Sequence, residues 1–485
     1  MARSPIIAWP ADAEDGLPLA LWTAQAIARA TGGKPSGDFQ VAGAEIDSRD
    51  VIEGDLFFAL KGEAMDGHRF VDGAFAKGAA AAVTDRPVAG PHVLVEDTTA
   101  ALEALAKAAR ERTQAVVVGV TGSVGKTSVK EALFAALDRS SNGAAHRSVK
   151  SYNNHVGVPL SLARMPSRSR YGIFEMGMNH AGEISALTRQ VRPHVAVITT
   201  VAPAHIENLG SEEAIADAKA EIFEGLEPGG TAVIPADSPH FARLKEAAEN
   251  AGAKVVSFGR AAHADVRLLD TVPAPGGGSL VTADMGDRRL CYSVASPGEH
   301  WVANSLAVMA AVRAAGGDLG AAGLALAEMA GLKGRGARMD IAAPGGGTAM
   351  LIDESYNANP ASMRATLAQL GDTRAARRFA VLGAMKELGD FAPGLHAALI
   401  EPIAAAKVDH LILVGDEMQA LADELGKSGA ATLGKLPRFA HCLNPEEALA
   451  ALREVGWAGG DAILVKGSNS VGLGRLVAAL AAKDS

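Results

Sequence analysis

Ala115-Val-Val-Val-Gly-Val-Thr-Gly-Ser-Val-Gly-Lys-Thr-Ser128 is the stretch from which the fold can be read. Ala115 to Val120 is short, apolar and β-branched, as a strand buried on both faces requires. Glycines at 119, 122 and 125 follow, and Lys126-Thr127-Ser128 opens a helical segment. Strand, glycine-rich turn and helix in that order make a phosphate-binding loop. Glycines let backbone N–H groups curl around phosphate oxygens, and the helix N-terminus adds positive dipole. Gly122, Ser123, Val124, Gly125, Lys126, Thr127 and Ser128 are the candidate nucleotide-phosphate contacts. Lys126 would reach the β- and γ-phosphates, and Thr127 would offer its hydroxyl to Mg²⁺. The commonest form of the loop has a glycine where this chain has Val120, although its Gly-Lys-Thr end is intact. The Asn-Lys-x-Asp base-reading motif of GTPases is absent from the sequence.

Outward from the loop, Tyr171 to Glu175, Val195 to Val201 and Thr231 to Ile234 predict further strands separated by helices. Such alternation argues for a parallel, doubly wound sheet. Over Val266 to Val294 the pattern changes to short alternating runs around Gly276-Gly277-Gly278, which predicts a small antiparallel addition. This central block is set at 113–338. In the block 339–485, Ala349 to Asp353, Phe379 to Leu382, His410 to Val414 and Ala462 to Val465 predict a second open α/β unit. In the block 1–112, Val41 to Ile46, Asp55 to Leu60, Ala80 to Thr84 and His92 to Val95 read as strands and Thr99 to Arg112 as a helix. The expected fold class is α/β in three domains. A central P-loop domain with a parallel sheet is followed by a Rossmann-like C-terminal domain.

The chain has 485 residues, which agrees with three domains of about 150 residues each. Lys and Arg number 46 against 55 Asp and Glu, a net charge of −9. That balance makes a poor general binder of nucleic acid or anionic membrane, so phosphate must be held in a local pocket. Two cysteines, Cys291 and Cys442, suit a reducing compartment. Met1 to Gly16 lacks the basic and apolar regions of a signal peptide, and no apolar run approaches the about 18 residues of a membrane span. The expectation is a soluble cytoplasmic protein without nucleic-acid binding or membrane insertion. The 13 histidines show no zinc spacing.

Ligands of open parallel sheets bind outside the carboxyl ends of the strands. Glu175 ends one central strand and His205 follows another. Both are candidate ligands of Mg²⁺ ions near the γ-phosphate. Ser211 to Leu226 reads as one helix whose apolar face carries Ile215, Ile222, Phe223 and Leu226. At 100° per residue Lys219 falls within that face, where a lysine must snorkel or have a task. Burial would leave it as a neutral amine able to take up CO₂ as a carbamate. Arg49, Lys61 and His68 are candidate local cations in the first block.

These residues together resemble the Mur ligases, the ATP-dependent amino-acid-adding enzymes of peptidoglycan synthesis, over nearly the whole chain. Asp47-Ser48-Arg49, Gly54 to Gly62 and Asp66-Gly67-His68 are similar to the uridine-nucleotide-binding first domain. The Gly119 to Thr127 loop has the family's own glycine spacing. Tyr152-Asn153-Asn154, Glu175-Met-Gly-Met-Asn179 and Asp353-Glu-Ser-Tyr356-Asn357-Ala-Asn359-Pro360 match the branch that adds D-alanyl-D-alanine. The Asp-Asn-Pro-Arg motif of the diaminopimelate-adding branch is absent.

The resemblance implies a carbamylated Lys219, two Mg²⁺ ions served by Thr127, Glu175, His205 and the Lys219 carbamate, and Lys126 at the phosphates. It places Asn304, Arg338 and Asp353 on ATP, with Arg335 an alternative to Arg338. It assigns Ser48, Arg49, Asn153, Asn154, Asn357 and Asn359 to substrate. The implied substrates are a UDP-N-acetylmuramoyl-tripeptide and D-alanyl-D-alanine, and the implied state is a monomer. The tripeptide carboxylate would attack the γ-phosphate of ATP to give an acyl phosphate, which the dipeptide amine then opens. Closure of the last domain would keep water from that intermediate. A sister ligase, a folylpolyglutamate-synthase-like enzyme and a nucleotide-sensing protein without chemistry are the competing readings.

Overall fold

In the computed structural model, residues 20–62, 65–274, 277–329, 331–427 and 437–482 are described. The Met1 to Gly16 stretch and Gly276 lie outside them. No helix among the described residues is long and apolar enough to cross a membrane.

The first domain contains strands β1 (Trp22–Thr23), β2 (Lys34–Pro35), β3 (Gln40–Val41), β4 (Gly43–Glu45), β5 (Asp55–Phe58), β6 (Ala81–Thr84) and β7 (His92–Leu94). A five-stranded sheet runs β2-β7-β6-β5-β4, parallel from β4 to β7, and β1 pairs with β3 alone. The helix Thr98–Glu111 starts where the Asp97 carboxylate accepts the N–H groups of Thr99 and Ala100. Its buried stripe of Ala101, Leu102, Leu105 and Ala109 meets Leu56, Phe58, Val83 and Val93. Leu160 and Ala163, from a central-domain helix, join the same core. The join is stitched by polar groups as well. Trp22 Nε1 donates to Ala163 O at 2.8 Å, and the Arg112 guanidinium lies 3.4 Å over the Trp22 ring. Arg164 pairs with the buried Glu45 at 2.7 Å.

The central domain contributes β8 (Val116–Thr121), β9 (Ala145–Arg147), β10 (Tyr171–Glu175), β11 (Val195–Ile198), β12 (Thr231–Pro235), β13 (Lys254–Gly259), β14 (Val266–Pro273), β15 (Ser279–Asp284) and β16 (Arg289–Val294). They form one sheet in the order β16-β15-β14-β13-β12-β11-β8-β10-β9. Neighbours from β9 to β14 are parallel, and β14, β15 and β16 are the antiparallel addition. Val272 and Leu280 are cross-strand partners exposed on this ribbon, whereas β8, β10, β11 and β12 have helices on both faces.

The third domain has β17 (Ala337–Ala342), β18 (Thr348–Glu354), β19 (Arg378–Gly383), β20 (His410–Val414), β21 (Arg438–Cys442) and β22 (Ala462–Lys466). Their order is β17-β18-β22-β19-β20-β21, with only the β17–β18 pair antiparallel. Strand β17 begins at Ala337, two residues before the division at 338/339, so Arg338 lies inside the third sheet. The last strand, β22, inserts between β18 and β19 and makes a topological switch point there.

Two local features differ from expectation. The single helix over 211–226 is an α-helix, Glu212–Ala220, followed by a 3₁₀ turn, Glu221–Gly225. Thr188 Oγ1 donates to Ile222 O at 2.8 Å, and a Cβ on Gly225 would lie 2.3 Å from Thr188 O, so the neighbouring helix draws this turn tight. The short strands β9, β13, β17 and β21 mix polar and apolar residues, and their strand form comes from the partners beside them.

Candidate active site

The phosphate loop joins β8 to the helix Lys126–Ser140. Its shape depends on two glycines with positive φ, Gly122 at +148° and Gly125 at +89°. A Cβ on Gly122 would lie 2.0 Å from Thr199 Oγ1, and one on Gly125 would lie 2.8 Å from Asn304 Oδ1. The loop is tied to the segment after β11. Ser123 N donates to Thr200 O and Ser123 Oγ to Ala202 O, both at 2.8 Å. Thr199 Oγ1 donates to Val124 O at 2.5 Å. Lys126 Nζ folds back to donate to Gly122 O at 2.7 Å. Burial holds its pKa below the ordinary lysine value; Glu175 opposes that shift and Arg335 adds to it.

Glu175, at the end of β10, is fully buried, and both its oxygens are engaged. Thr127 Oγ1 donates to Oε2 and Asn153 Nδ2 to Oε1, each at 2.8 Å. The buried Lys130, one turn beyond Lys126, sits 3.9 Å from Oε2 and donates to the carbonyls of Ser148 and Lys150. A hydroxyl beside a carboxylate is a hard-oxygen donor pair of the kind Mg²⁺ uses. No group of three His, Cys, Asp or Glu side chains among the described residues could hold a metal alone. An ion at this pair would draw its remaining ligands from nucleotide oxygens and water, which is the habit of Mg²⁺.

Ser123 to Lys126, Ser128, Ser151, Asn153 and Glu175 line one wall of a cleft between the central and third domains. His205 lines it too, in a left-handed conformation with φ of +59°. Its Nδ1 lies 2.5 Å from Glu387 Oε2 of the third domain. His300, Trp301 and Asn304 come from the helix Glu299–Ala314. The facing wall is formed by Gly334, Arg335, Glu354, Tyr356, Asn357, Asn359 and Lys466. The Arg335 guanidinium stacks 4.2 Å over the Tyr356 ring and donates to Ser151 Oγ at 3.1 Å. Asn359 caps the helix Pro360–Asp372 and donates through Nδ2 to Ser123 O at 3.3 Å, a bond from the third domain to the phosphate loop.

Lys219 is 2% exposed on the buried face of its helix, beneath the cleft rather than on its lining. No acceptor or carboxylate pairs with its ammonium among the described residues. Burial, with the charge of Lys126 adding to it, holds its pKa well below the ordinary lysine value.

Other candidates are placed apart from the cleft. Asp353 is buried behind it, accepting Gly334 N–H at 2.8 Å and the Ser355 hydroxyl at 2.6 Å, so it shapes the turn that presents Arg335. Arg338 reaches Thr373 Oγ1 at 3.4 Å and is not part of the lining. Asn154 Oδ1 accepts Gly157 N–H at 2.8 Å and caps a helix start. Ser48 and Arg49 lie on a turn of the first domain, where Arg49 is 86% exposed and pairs with Asp47 at 2.7 Å. That hydrogen bond from Arg49 takes the Asp47 carboxyl down to about 2. Asp50 of the same turn pairs with Lys150 at 2.5 Å, which joins it to the segment carrying Ser151 and Asn153. Lys61 is exposed, and His68 is held between Asp66 and the Asp85 N–H. Sequence reasoning passed over Ser151, His300, Trp301, Glu354 and Lys466. For Lys466 a signal was available: a lysine ending an apolar strand just before a glycine.

Comparison with known proteins agrees with this arrangement. Residues 40–119 match the Mur ligase family catalytic domain, 120–312 the Mur ligase middle domain, and 337–469 the Mur ligase glutamate ligase domain. The chain is 36% identical over 461 residues to the UDP-N-acetylmuramoyl-tripeptide–D-alanyl-D-alanine ligase of Synechocystis sp., covering 93% of this chain and 94% of that one. The solved structure of MurF from Acinetobacter baumannii superposes with a TM-score of 0.80 at 31% identity, covering 95% of this chain and 99% of that one. MurF ligase from Thermotoga maritima in complex with ADP gives a TM-score of 0.72 at 26% identity, over 90% and 96% of the two chains.

Proposed function

The chain belongs to the Mur ligase family, and on that footing we propose that it joins D-alanyl-D-alanine to UDP-N-acetylmuramoyl-tripeptide at the expense of ATP, in peptidoglycan precursor synthesis. The observation that carries this reading is the meeting of two walls in one cleft. The phosphate loop and the Thr127–Glu175 pair face Arg335 and Asn359 across it.

Gly122 to Ser128 cradle the phosphates, and Lys126 leaves Gly122 O to neutralise the γ-phosphate as the tripeptide carboxylate attacks. Arg335, rather than Arg338, is the arginine placed to meet the charge on the nucleotide, because it alone of the two lines the cleft. Thr127, Glu175, His205 and the Lys219 carbamate are the residues that would hold two Mg²⁺ ions, which would neutralise charge on the phosphates. Lys219 is the carbamylated lysine of the site. The absence of an ionic partner and the depressed pKa support this, since CO₂ adds only to the neutral amine. Asn304 and Asp353 belong to the nucleotide side, the latter by shaping the Gly334 turn. Ser48, Arg49, Asn153, Asn154, Asn357 and Asn359 are assigned to the uridine and peptide substrate. Closure of the third domain over the acyl phosphate excludes water. The reading is of a monomeric enzyme of the cytoplasm, a compartment that the low cysteine count suits.

The test is phosphate release from ATP by the purified chain. Release that needs both the nucleotide-linked tripeptide and D-alanyl-D-alanine, with carboxylate oxygen carried into the phosphate, is the expected result. ATP binding without turnover across acceptor amines would overturn it in favour of a nucleotide sensor.

A further inference from the structure

The ligation needs a proton acceptor. An α-amino group titrates near pH 7.7 to 8.0, so the dipeptide arrives largely as an ammonium ion and must lose a proton before it can attack a carbonyl. Two acids line the cleft, Glu175 and Glu354, from opposite walls. The oxygens of Glu175 are committed to Thr127 and Asn153. Glu354 ends β18, and its register partner Lys466 ends β22, so both strand ends open at the switch point of the third sheet. Lys466 Nζ is 3.4 Å from Glu354 Oε2 and also donates to Asn357 O at 2.9 Å. Oε1 of Glu354 has no hydrogen-bond donor among the described residues.

We propose that Glu354, oriented by Lys466, is the general base that takes the proton from the acceptor ammonium. This rests on the ligase reading above. One N–H bond breaks toward Oε1, leaving Glu354 a carboxylic acid. The freed nitrogen pair forms the C–N bond, and the C–O bond to phosphorus breaks with its electron pair going to orthophosphate. The remaining surplus N–H proton leaves with that phosphate. Burial supports the role by raising the Glu354 carboxyl above the usual range, toward that of an amine. The groups facing it are Lys466 from β22 and Arg335 from the turn before β17, which oppose the rise, and Asp353 on its own strand, which adds to it. His300, on the opposite wall, feels the charge of Lys466.

The experiment separates activation from amine attack in Glu354→Gln. Positional isotope exchange in ATP reads acyl-phosphate formation. Hydroxylamine, which is neutral at working pH, replaces the dipeptide as a nucleophile that needs no base. The expected result is ligation of D-alanyl-D-alanine reduced about 100-fold or more, with isotope exchange and hydroxamate formation within about twofold of the wild type. Undiminished ligation overturns the assignment, and so does a parallel loss with both nucleophiles. Should Glu354→Gln fail to melt cooperatively, Glu354→Asp takes its place. The same split on a smaller scale supports the assignment, and a parallel loss overturns it. A wild-type chain that forms no acyl phosphate would instead sink the ligase reading, independently of Glu354.

Discussion

Lys219 shows how burial changes what a side chain can do. An ammonium out of water with no carboxylate beside it favours the neutral amine, and Lys126 adds repulsion to that cost. Lys219→Ala is therefore expected to fold normally, because it removes an unpaired buried charge, and to be nearly inactive. Formate or acetate, which can occupy the carbamate's place, should restore part of the activity. Wild-type rates in Lys219→Ala, read by coupled ADP release beside a normal thermal melt, would remove the residue from the mechanism. The helical period made Lys219 noticeable in the sequence. Arg335 and Arg338 could not be ranked that way, because their separation depends on a turn anchored by Asp353 and closed at Gly334.

At the scale of elements, the helix Pro360–Asp372 links capping to the site. Asn359 caps it through Oδ1, the Ser362 side chain completes the box, and Nδ2 is left to reach the phosphate loop. Two substitutions pull these tasks apart. Asn359→Ala should cost about 1 kcal/mol of stability through the lost cap. Asn359→Asp keeps the cap but faces Ser123 O with a carboxylate. It should raise the KM for ATP several-fold, and the buried carboxylate facing that carbonyl should also lower the melting temperature. Equal ATP KM values in Asn359→Asp and wild type would show that the contact with Ser123 carries no weight. The main parallel strands were legible because burial on both faces demands unbroken apolar runs. Strands such as β13 and β21 were not, because two polar residues interrupt each and only pairing makes it extended.

At the scale of the molecule, the first domain is docked on the central one by Arg164 on Glu45 and by Trp22 Nε1 on Ala163 O. Removing one member of a buried pair leaves the other charge stranded. Glu45→Ala should cost about 3 kcal/mol and raise the KM for the uridine substrate, while the KM for ATP stays put. A thermal melt and paired kinetics test this, and unchanged stability would refute it. Two half-buried histidines contribute to the pH dependence of stability. Burial pushes both His146 and His300 down to about 4, helped at His300 by Lys466 and resisted at His146 by its bond to Ser161 O. In the unfolded chain each titrates near 6.5. Between those values the unfolded state binds more protons, so stability is full above about 6.5 and falls as pH drops toward about 4. The melting temperature should decline across that window, less steeply in His146→Gln. A flat profile through it would contradict the burial argument.

Local patterning was enough to reveal the phosphate loop, the parallel strands around it, the three-part division and the buried face of Lys219. Each of these follows from short-range rules: glycine for positive φ, apolar runs for enclosed strands, a 3.6-residue repeat for a helix. The cleft itself was beyond such rules. Asn359 on Ser123, Arg335 on Ser151 and His205 on Glu387 are pairs brought together by how two sheets face one another. No spacing along a chain encodes that distance, because it arises only when separate cores have packed and the strand ends have been aimed at the same space.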